Sequence, residues 1–340
     1  MAREERAGRV VVTGATGFLG GALVRRLHAL DPARPLCAIG RDLGRGDALR
    51  REGISFSALD LSDAGGTDAA LADAEVVVHA AALSSPWGPR AAFHAANVVA
   101  SEHVAHACVR AGARRLVHIS TPGIYHDGKP HLGIREDDPL PARAVNHYAA
   151  TKREAEHRVL TICGEGDVPA IVLRPRAIFG PGDTALLPRI AEALRRGRLP
   201  RIGDGSCLVD MSYIDNVVNA VLLAMAAPPT IRGRAYNISN GEPVRIWEVI
   251  DRLADALSVT RPQARISRAN ALRVATALEV GHRLFAPRRE PALMRYGVDL
   301  LSVDMTLDIR RASTELGYRP RVGMAEALAR TFAGLQHNAN

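Results

Sequence analysis

The sequence predicts an α/β protein built on a doubly wound parallel sheet, followed by a smaller, mixed domain at the carboxyl end. Short runs rich in β-branched residues alternate with helical patterns through the first half of the chain, and this rhythm specifies a parallel sheet covered on both faces. A glycine-rich segment separates the first such run from the first helical pattern. Beyond residue 174 the rhythm loosens. We therefore expect a dinucleotide-binding domain over 1–174 and a substrate-binding domain over 175–340, some of whose segments return to the first core.

The individual elements follow from these patterns in chain order. Strands are expected at 9–13, 36–39, 54–59, 75–80, 116–120 and 170–173. Helices are expected at 20–29, 93–111, 148–163, 186–196, 215–227, 247–257 and 324–335. Residues 258–306 are polar and interrupted by prolines. For the segment 270–301 three interpretations stay open: a lid over an apolar substrate, a surface that contacts a membrane, and a helix that packs against the body.

The composition is that of a globular protein and argues against several functional classes. Hydrophobic residues make up 47% of the 340 residues and charged residues 24%, which is enough for a sizeable core. The net charge of +8 comes from scattered arginines rather than from a basic stripe with interleaved aromatics, so we expect no nucleic-acid partner. The four cysteines form no C-x-x-C pair, which argues against a metal site and a disulfide framework. With a charged start and no apolar run of roughly 18 residues, a cytoplasmic protein without a transmembrane segment is expected.

The segment after the first strand has the spacing of a Rossmann-type dinucleotide-binding loop. It reads T-G-A-T-G-F-L-G at 13–20. Gly14 permits a tight turn, Gly17 lets the backbone approach a pyrophosphate, and Gly20 lets the helix pack close to the strand. The N-terminus of that helix then faces the negative charge of the diphosphate. We therefore expect cofactor contacts from Gly14, Thr16, Gly17, Phe18, Leu19 and Gly20.

The end of the second strand bears on the choice between the two nicotinamide cofactors. A carboxylate there binds the ribose 2′-OH of NAD(H), whereas a nearby arginine accommodates the 2′-phosphate of NADP(H). The sequence has Gly40, Arg41 and Asp42 at this point. Glycine at the carboxylate position followed by Arg41 favours NADP(H), while Asp42 keeps NAD(H) open. A solvated Arg41–Asp42 pair without a cofactor role is the alternative.

The chain contains only two lysines, Lys129 and Lys152, among its 44 strongly basic residues. Lys152 follows Tyr148 by four residues, so both side chains share one face of a helix. An ammonium favours the phenolate, so we expect Lys152 to lower the pKa of Tyr148 from about 10 toward neutrality. Such a tyrosine exchanges a proton with an alcohol or carbonyl oxygen while a hydride moves. An exposed helix pair without function is the alternative.

Hydroxyl groups stand at the end of the predicted fifth strand, where doubly wound sheets bind their ligands. Thr121 is the candidate that donates to the substrate oxygen, and Ser120 competes with it. The alternative for either residue is a cap on the following turn.

These motifs together resemble the extended short-chain dehydrogenase/reductases, the NAD-dependent epimerase/dehydratase superfamily. The resemblance rests on T-G-x-x-G-x-x-G at 13–20 and Y-A-A-T-K at 148–152, and it covers essentially the whole chain. It implies that Thr121, Tyr148 and Lys152 are catalytic together with Asn97, although Ala100 and Ser101 depart from the family's usual continuation after that asparagine. It also implies a homodimer. Further cofactor contacts implied by the resemblance come from Asp60, Leu61, Ala80, Ala81, Ala82, Asn97, Tyr148, Lys152 and Pro175.

Several stretches resemble one branch of that superfamily, the 3β-hydroxysteroid dehydrogenases and 2-alkyl-3-oxoalkanoate reductases. They include I-S-T-P at 119–122, R-P-R at 174–176 and I-S-N-G-E-P at 238–243. The resemblance implies an enzyme that interconverts a secondary alcohol and a ketone on a bulky apolar substrate, either a β-oxo or β-hydroxy lipid or a 3β-hydroxysteroid. Substrate contacts are expected from Ser84, Trp87, Thr121, Ile178 and Phe179, with rim packing as the alternative for Trp87.

Two other functions stay open at this point. A nucleotide-sugar epimerase or dehydratase shares the same motifs, but Pro122 and Gly123 stand where dehydratases of the superfamily usually have acidic residues. A non-catalytic NAD(P)-binding sensor usually lacks the Tyr/Lys pair, which this chain retains at Tyr148 and Lys152. An oxidoreductase is therefore favoured over both.

Overall fold

The structure of the protein, a computed structural model, describes residues 8–337. Its first half contains β1 (Arg9–Thr13), α1 (Phe18–Leu30), β2 (Leu36–Gly40), α2 (Leu43–Arg51), β3 (Ser55–Ala58), α3 (Ala64–Leu71), β4 (Ala74–His79), α4 (Arg90–Phe93), a π-helical turn (His94–Val99), α5 (Ala100–Ala111), β5 (Arg115–Ile119), a 3₁₀ turn (Pro122–Tyr125), β6 (His131–Ile134), α6 (His147–Glu165) and β7 (Ala170–Pro175). The predicted alternation of strands and helices is confirmed across this half.

The second half contains shorter strands and several helices. They are β8 (Ile178–Phe179), α7 (Leu187–Arg195), β9 (Arg201–Ile202), β10 (Leu208–Val209), β11 (Ser212–Tyr213), α8 (Ile214–Ala226), β12 (Arg234–Ile238), β13 (Val244–Arg245), α9 (Ile246–Ala256), β14 (Arg265–Ile266), α10 (Arg268–Phe285), α11 (Arg295–Leu300), β15 (Met305–Leu307), α12 (Arg310–Glu315) and α13 (Met324–His337). Across residues 8–337, no helix combines the length and the apolarity needed to cross a membrane.

Seven parallel strands form the main sheet, in the order β12-β7-β5-β4-β1-β2-β3. Helices cover both faces, so the central strands are fully buried and are continuously apolar instead of alternating, as at Val10, Val11 and Val12. The strand order reverses between β1 and β4, and a crevice opens at the carboxyl ends of strands where this happens. The predicted doubly wound fold is confirmed.

The remaining strands form smaller sheets on the side of this crevice. A mixed four-stranded sheet has the order β13-β10-β15-β6, with β10 antiparallel to β13 and parallel to β15. One hydrophobic cluster continues from the main sheet into this part and includes Tyr236, Trp247 and Tyr318, all fully buried. Segments beyond residue 174 also return to the main sheet, because β12 pairs with β7.

One segment differs from the sequence expectation, and a second is one for which three interpretations were open. The helix expected over 93–111 is interrupted by the π turn at His94–Val99. Such a turn inserts an extra residue into the helical repeat and often lies at a functional position. The second segment, 270–301, contains the long helix α10, which begins after the capping side chain of Ser267. Only small residues of α10, Ala271 and Ala275, are fully buried.

Candidate active site

A cleft of about 560 Å³ lies at the carboxyl ends of the central strands of the main sheet. The structure brings to its wall nearly all residues predicted to bind a cofactor: Gly14, Thr16, Gly17, Phe18, Leu19, Gly20, Arg41, Asp60, Leu61, Ala80, Ala81, Ala82, Tyr148, Lys152 and Pro175. Of the residues predicted to contact substrate, Ser84, Thr121 and Ile178 line the same cleft. One continuous space thus joins the glycine loop to the tyrosine and the lysine.

Two predicted substrate residues lie outside this wall. Phe179 is fully buried, and its ring packs edge-on against Tyr213 at 5.7 Å between centroids. Because successive residues of a strand point to opposite sides, Ile178 faces the cleft and Phe179 faces the core. Trp87 packs against the end of α10, where its Nε1 donates to the Pro287 carbonyl at 3.0 Å and Arg283 stacks on its ring. Phe179 is therefore a packing residue, and Trp87 has the rim position that was its alternative.

Asn97 lies behind the cleft wall, where it holds the backbone in place. Its Oδ1 accepts from the Leu83 amide at 2.7 Å, and its Nδ2 donates to the Leu83 carbonyl and to Thr151 Oγ1. These bonds use the whole amide and join the loop after β4 to α6. Ser101 explains the departure from the family pattern, because its hydroxyl donates to the Asn97 carbonyl and bonds His79 Nε2 at 2.9 Å.

The glycine loop closes on the neighbouring strand more tightly than any side chain permits. Gly14 has φ +70°, and a Cβ there would lie 2.6 Å from the Ala81 amide nitrogen. A Cβ on Gly20 would lie 2.2 Å from the Gly14 carbonyl oxygen. Gly17 precedes α1 without a capping side chain, so the free N–H groups of the first turn face the cleft. This cradle fits a dinucleotide diphosphate, which binds to such free N–H groups.

Charged residues lie beside the glycine loop in the cleft: Arg41 after β2, Arg45 in α2 and Asp60 after β3. A Cβ at Gly40 would lie 2.7 Å from Thr16 Oγ1, which explains why no carboxylate occupies this position. Arg41 lies 3.7 Å from Asp60 in an exposed pair, and hydrogen bonds from Ser62 hold the pKa of Asp60 below its usual value. Arg45, missed in the sequence, also lines the cleft and donates to the Thr16 carbonyl at 2.9 Å.

Asp42 also lines the cleft, but Arg45 engages its carboxylate. It caps α2 by accepting from the Arg45 amide at 3.0 Å, and the Arg45 side chain lies 3.6 Å away. The alternative, a pair between Arg41 and Asp42, is not what the structure shows: Arg41 pairs with Asp60, and Asp42 pairs with Arg45. Asp42 is directed to Arg45 because it is the capping residue at which α2 begins.

The helix α6 presents Tyr148 and Lys152 to the cleft one turn apart. It begins after Asn146, whose side chain accepts from the Ala149 amide at 2.8 Å. Lys152 is only 1% exposed, and its Nζ donates to the Ile119 carbonyl at 2.6 Å and approaches His118 Nε2 at 3.3 Å. Burial lowers the pKa of Lys152 to about 8, and the Glu156 carboxylate opposes that fall. An ammonium has three N–H donors, so one is left for a group in the cleft.

The pKa of Tyr148 departs from its ordinary value in the direction opposite to the one expected. Burial raises the pKa of the Tyr148 hydroxyl, the nearby Tyr296 adds to the rise, and a hydrogen bond with Thr121 opposes it. The expected lowering by Lys152 is wrong for this arrangement, because burial dominates the pKa of Tyr148 and two of the three N–H groups of the ammonium point to β5. A phenol with a raised pKa keeps its proton at neutral pH, so the Tyr148 hydroxyl is protonated in this arrangement.

Both hydroxyls at the end of β5 face the same region. Ser120 lines the cleft, and its buried Oγ has no hydrogen-bond partner within residues 8–337. Thr121 Oγ1 accepts from the Gly123 amide at 3.1 Å and also bonds Tyr148. Thr121 therefore caps the following turn and also bonds Tyr148, and we call these two side chains the hydroxyl cluster. Ser120 stays available to a ligand.

Two buried histidines behind the lysine were not singled out by the sequence analysis as site residues. The rings of His79 and His118 lie 5.3 Å apart, and His79 Nδ1 bonds Thr13 Oγ1 at 2.7 Å. Burial lowers the pKa of His79 to about 3 and that of His118 well below its usual value, and Lys152 adds to both falls. Both rings are therefore neutral, and Lys152 carries the positive charge at this point of the cleft.

The fold and the cleft define an enzyme of the dinucleotide-dependent oxidoreductase class, with a glycine cradle at one end and a hydroxyl–lysine cluster at the other. Comparison with known proteins gives the family. The chain belongs to the NAD dependent epimerase/dehydratase family, whose model matches residues 10–239. The predicted superfamily is thereby confirmed.

Individual relatives indicate which branch of the family the chain resembles. The chain is 36% identical over 330 residues to the 2-alkyl-3-oxoalkanoate reductase of Stenotrophomonas maltophilia, covering 96% of this chain and 98% of that protein. It is 32% identical over 348 residues to isoform 1 of the 3beta-hydroxysteroid-dehydrogenase/decarboxylase of Arabidopsis thaliana, covering 96% and 79%. Its fold is similar to that of UDP-glucuronic acid 4-epimerase from Bacillus cereus in complex with NAD, with a TM-score of 0.77 at 22% identity over 98% of this chain and 100% of that one.

Proposed function

We propose that this oxidoreductase reduces a ketone to a secondary alcohol on a bulky apolar substrate, of the β-oxo acid or oxosteroid type, with NADP(H) as cofactor. The observation that carries the proposal is that Tyr148, Thr121 and Lys152 line the same cleft as the glycine loop. The names of the relatives support the substrate class, since they specify an oxoalkanoate and a hydroxysteroid.

The role of each residue in this proposal depends on the protons that it can hold or donate. The bound nicotinamide supplies or accepts the hydride. Tyr148 holds its proton at neutral pH and gives it to the oxygen of the substrate as negative charge develops there. Thr121, with Ser120 as the other available hydroxyl, orients that oxygen. Lys152 keeps one N–H for the nicotinamide ribose and supplies positive charge beside Tyr148.

The preference for NADP(H) rests on two arginines beside the glycine loop. Arg41 is mostly exposed and has only a long contact to Asp60, so its guanidinium is free to bind a 2′-phosphate. Arg45 lines the same part of the cleft. A titration of the purified protein with NADPH and NADH tests this part, and tighter binding of NADH would overturn the preference.

An NADPH-oxidation screen tests the function itself. Long-chain β-oxo acids, steroid ketones and nucleotide sugars are offered in parallel, and stoichiometric oxidation is expected with the first or second group. A nucleotide-sugar epimerase is the second candidate, because similar folds carry that activity. It would instead convert a sugar nucleotide without net oxidation of NADPH and retain its cofactor through purification.

We further propose that the protein works in the cytoplasm as a homodimer and touches membrane surfaces peripherally. The family resemblance supports the dimer, and four buried free cysteines support a reducing compartment. Exposed apolar side chains on α10, above all Leu284 and Phe285, support contact with lipid. Light scattering of the purified protein and co-flotation with anionic vesicles test these points; a monomeric mass or absence of flotation would refute them separately.

A further inference from the structure

A second tyrosine reaches the hydroxyl cluster from the C-terminal part of the chain. Tyr296 lies at the start of α11, and its Oη would be 3.7 Å from a Cβ placed on Gly123. Thr121 Oγ1 would be 3.3 Å from the same point. The two hydroxyl groups therefore flank one glycine of the 3₁₀ turn. Tyr148 is close enough that Tyr296 contributes to the rise of its pKa.

The hydroxyl of Tyr296 is free to bind a ligand. No residue of the described range 8–337 forms a hydrogen bond with it, whereas the hydroxyl of Tyr125 donates to Asn237 and that of Tyr236 donates to Glu315. The ring packs edge-on against His126 with centroids 5.6 Å apart. Tyr296 is half-buried, and its hydroxyl lies next to Thr121 without a protein partner, so a polar atom of a ligand can form a hydrogen bond with it.

Buried contacts fix the helix that carries Tyr296. Asp299, one turn further along α11, is bonded by His126 Nε2 at 3.2 Å and by Arg268 Nη2 at 2.7 Å. Arg268 also donates to the Gly128 carbonyl at 2.8 Å. Burial opposes ionisation of Asp299, but the bonds from His126 and Arg268 outweigh it and keep its pKa below the usual value. The phenol of Tyr296 is thus held in place by charged contacts to the segment that follows the 3₁₀ turn.

We propose that Tyr296 donates a hydrogen bond to a second oxygen of the substrate, the carboxylate of a β-oxo acid, and so selects such acids over simple ketones. The inference rests on the proposed function. Tyr148 and Thr121 serve the reacting oxygen, and a single carbon separates the oxo carbon from the carboxyl carbon in a β-oxo acid. The Tyr296 hydroxyl is a third hydroxyl beside this pair, because it and Thr121 Oγ1 both lie within 4 Å of the position that a Cβ on Gly123 would take. A ketone without the carboxylate would leave Tyr296 unpaired.

The test compares two phenol-to-phenyl substitutions. Tyr296→Phe keeps the ring on His126 and removes only the hydroxyl, while Tyr236→Phe removes a hydroxyl that bonds Glu315 on the far side of β12. Each variant and the wild type are assayed with NADPH against a long-chain β-oxo acid and against the ketone of equal length that lacks the carboxylate. Thermal unfolding of both variants shows that they are folded.

The expected result is a substrate-dependent loss. Tyr296→Phe should lower kcat/KM for the β-oxo acid about 10- to 100-fold, mainly through KM, because a hydrogen bond to a charged group is removed. It should change kcat/KM for the ketone less than about twofold, and Tyr236→Phe should change neither. Equal losses on both substrates, or no loss on the acid, would overturn the inference. Wild-type enzyme that reduces both substrates equally well would also overturn it while leaving the proposed function intact, whereas reduction of neither would overturn the proposed function.

Discussion

The two ends of the cleft are built by different means. At the cofactor end, backbone approaches backbone, and Gly14 and Gly20 allow distances that a Cβ would forbid. At the substrate end, side chains far apart in sequence hold the shape, as where Asp299 meets His126 and Arg268. The comparison teaches that cofactor binding depends on the absence of side chains in a short local motif. Substrate binding depends on charged contacts between distant segments.

The largest effect on cofactor binding should follow from adding a methyl group at the cofactor end. Gly14→Ala is expected to weaken NADPH binding about 10- to 100-fold, because the new Cβ overlaps the Ala81 backbone and displaces the loop. Gly112→Ala is the matched control, since Gly112 has a similar φ of +61° but nothing within 4 Å of the added Cβ. NADPH titration by fluorescence separates them. Equal weakening in both variants would show that backbone conformation, and not the close approach, is what matters.

A smaller effect should appear in the pH dependence, because Lys152 has a pKa of about 8. If the ammonium is needed, kcat/KM for reduction falls about tenfold per pH unit above that value as the proton is lost. Lys129→Gln, which changes the exposed second lysine, should leave the profile unchanged. A profile that stays flat to pH 10 would contradict the role of the charge.

The same pKa shift predicts the opposite trend for stability. Between about 8 and its ordinary value of 10.5, Lys152 is neutral when folded and still protonated when unfolded. The unfolded state then binds more protons, so the contribution of Lys152 to the free energy of unfolding rises with pH across that window. Activity and this contribution therefore move in opposite directions. Wild type compared with Lys152→Met by denaturant unfolding at pH 7.5 and 10 measures the second trend, and an equal stability difference at both pH values would contradict it.

The smallest effect on turnover should come from removing a charged contact that holds the substrate end. Asp299→Asn removes the charge that holds His126 and Arg268, and it should lower the free energy of unfolding by about 1–3 kcal/mol. KM for the substrate should rise while NADPH affinity stays unchanged. Asp255→Asn, which breaks an exposed pair with Arg261, is the control expected to change neither. A loss of NADPH affinity in Asp299→Asn would show that the two ends are not separately built.

The glycine loop and the tyrosine–lysine pair could be predicted from the sequence because their signals are local. The glycine spacing at 13–20 is that of a dinucleotide-binding turn. The spacing of Tyr148 and Lys152 is one helical turn, which places both side chains on one face. The direction of the Lys152 ammonium was not accessible in that way. It depends on acceptors contributed by β5, the Ile119 carbonyl and His118, which no helical spacing reveals.

The substrate end was less accessible because its contacts are not local. Tyr296 reaches Gly123 only after α10 and α11 have folded back, and nothing in the spacing of the sequence connects the two. Phe179 was assigned to the wrong side because a strand of only two residues, Ile178–Phe179, gives no alternation from which to choose a face. Trp87 packs against Pro287, 200 positions away.

The most direct test of the account is the Tyr148→Phe variant, measured for both turnover and NADPH binding. Removing the hydroxyl takes away the proton donor but leaves the ring, the glycine loop and Lys152 in place. Turnover should fall about 100- to 10,000-fold, the range that a general acid contributes, while the Kd for NADPH stays within about twofold of wild type. Turnover retained near the wild-type value would contradict the assignment of Tyr148 as the proton donor.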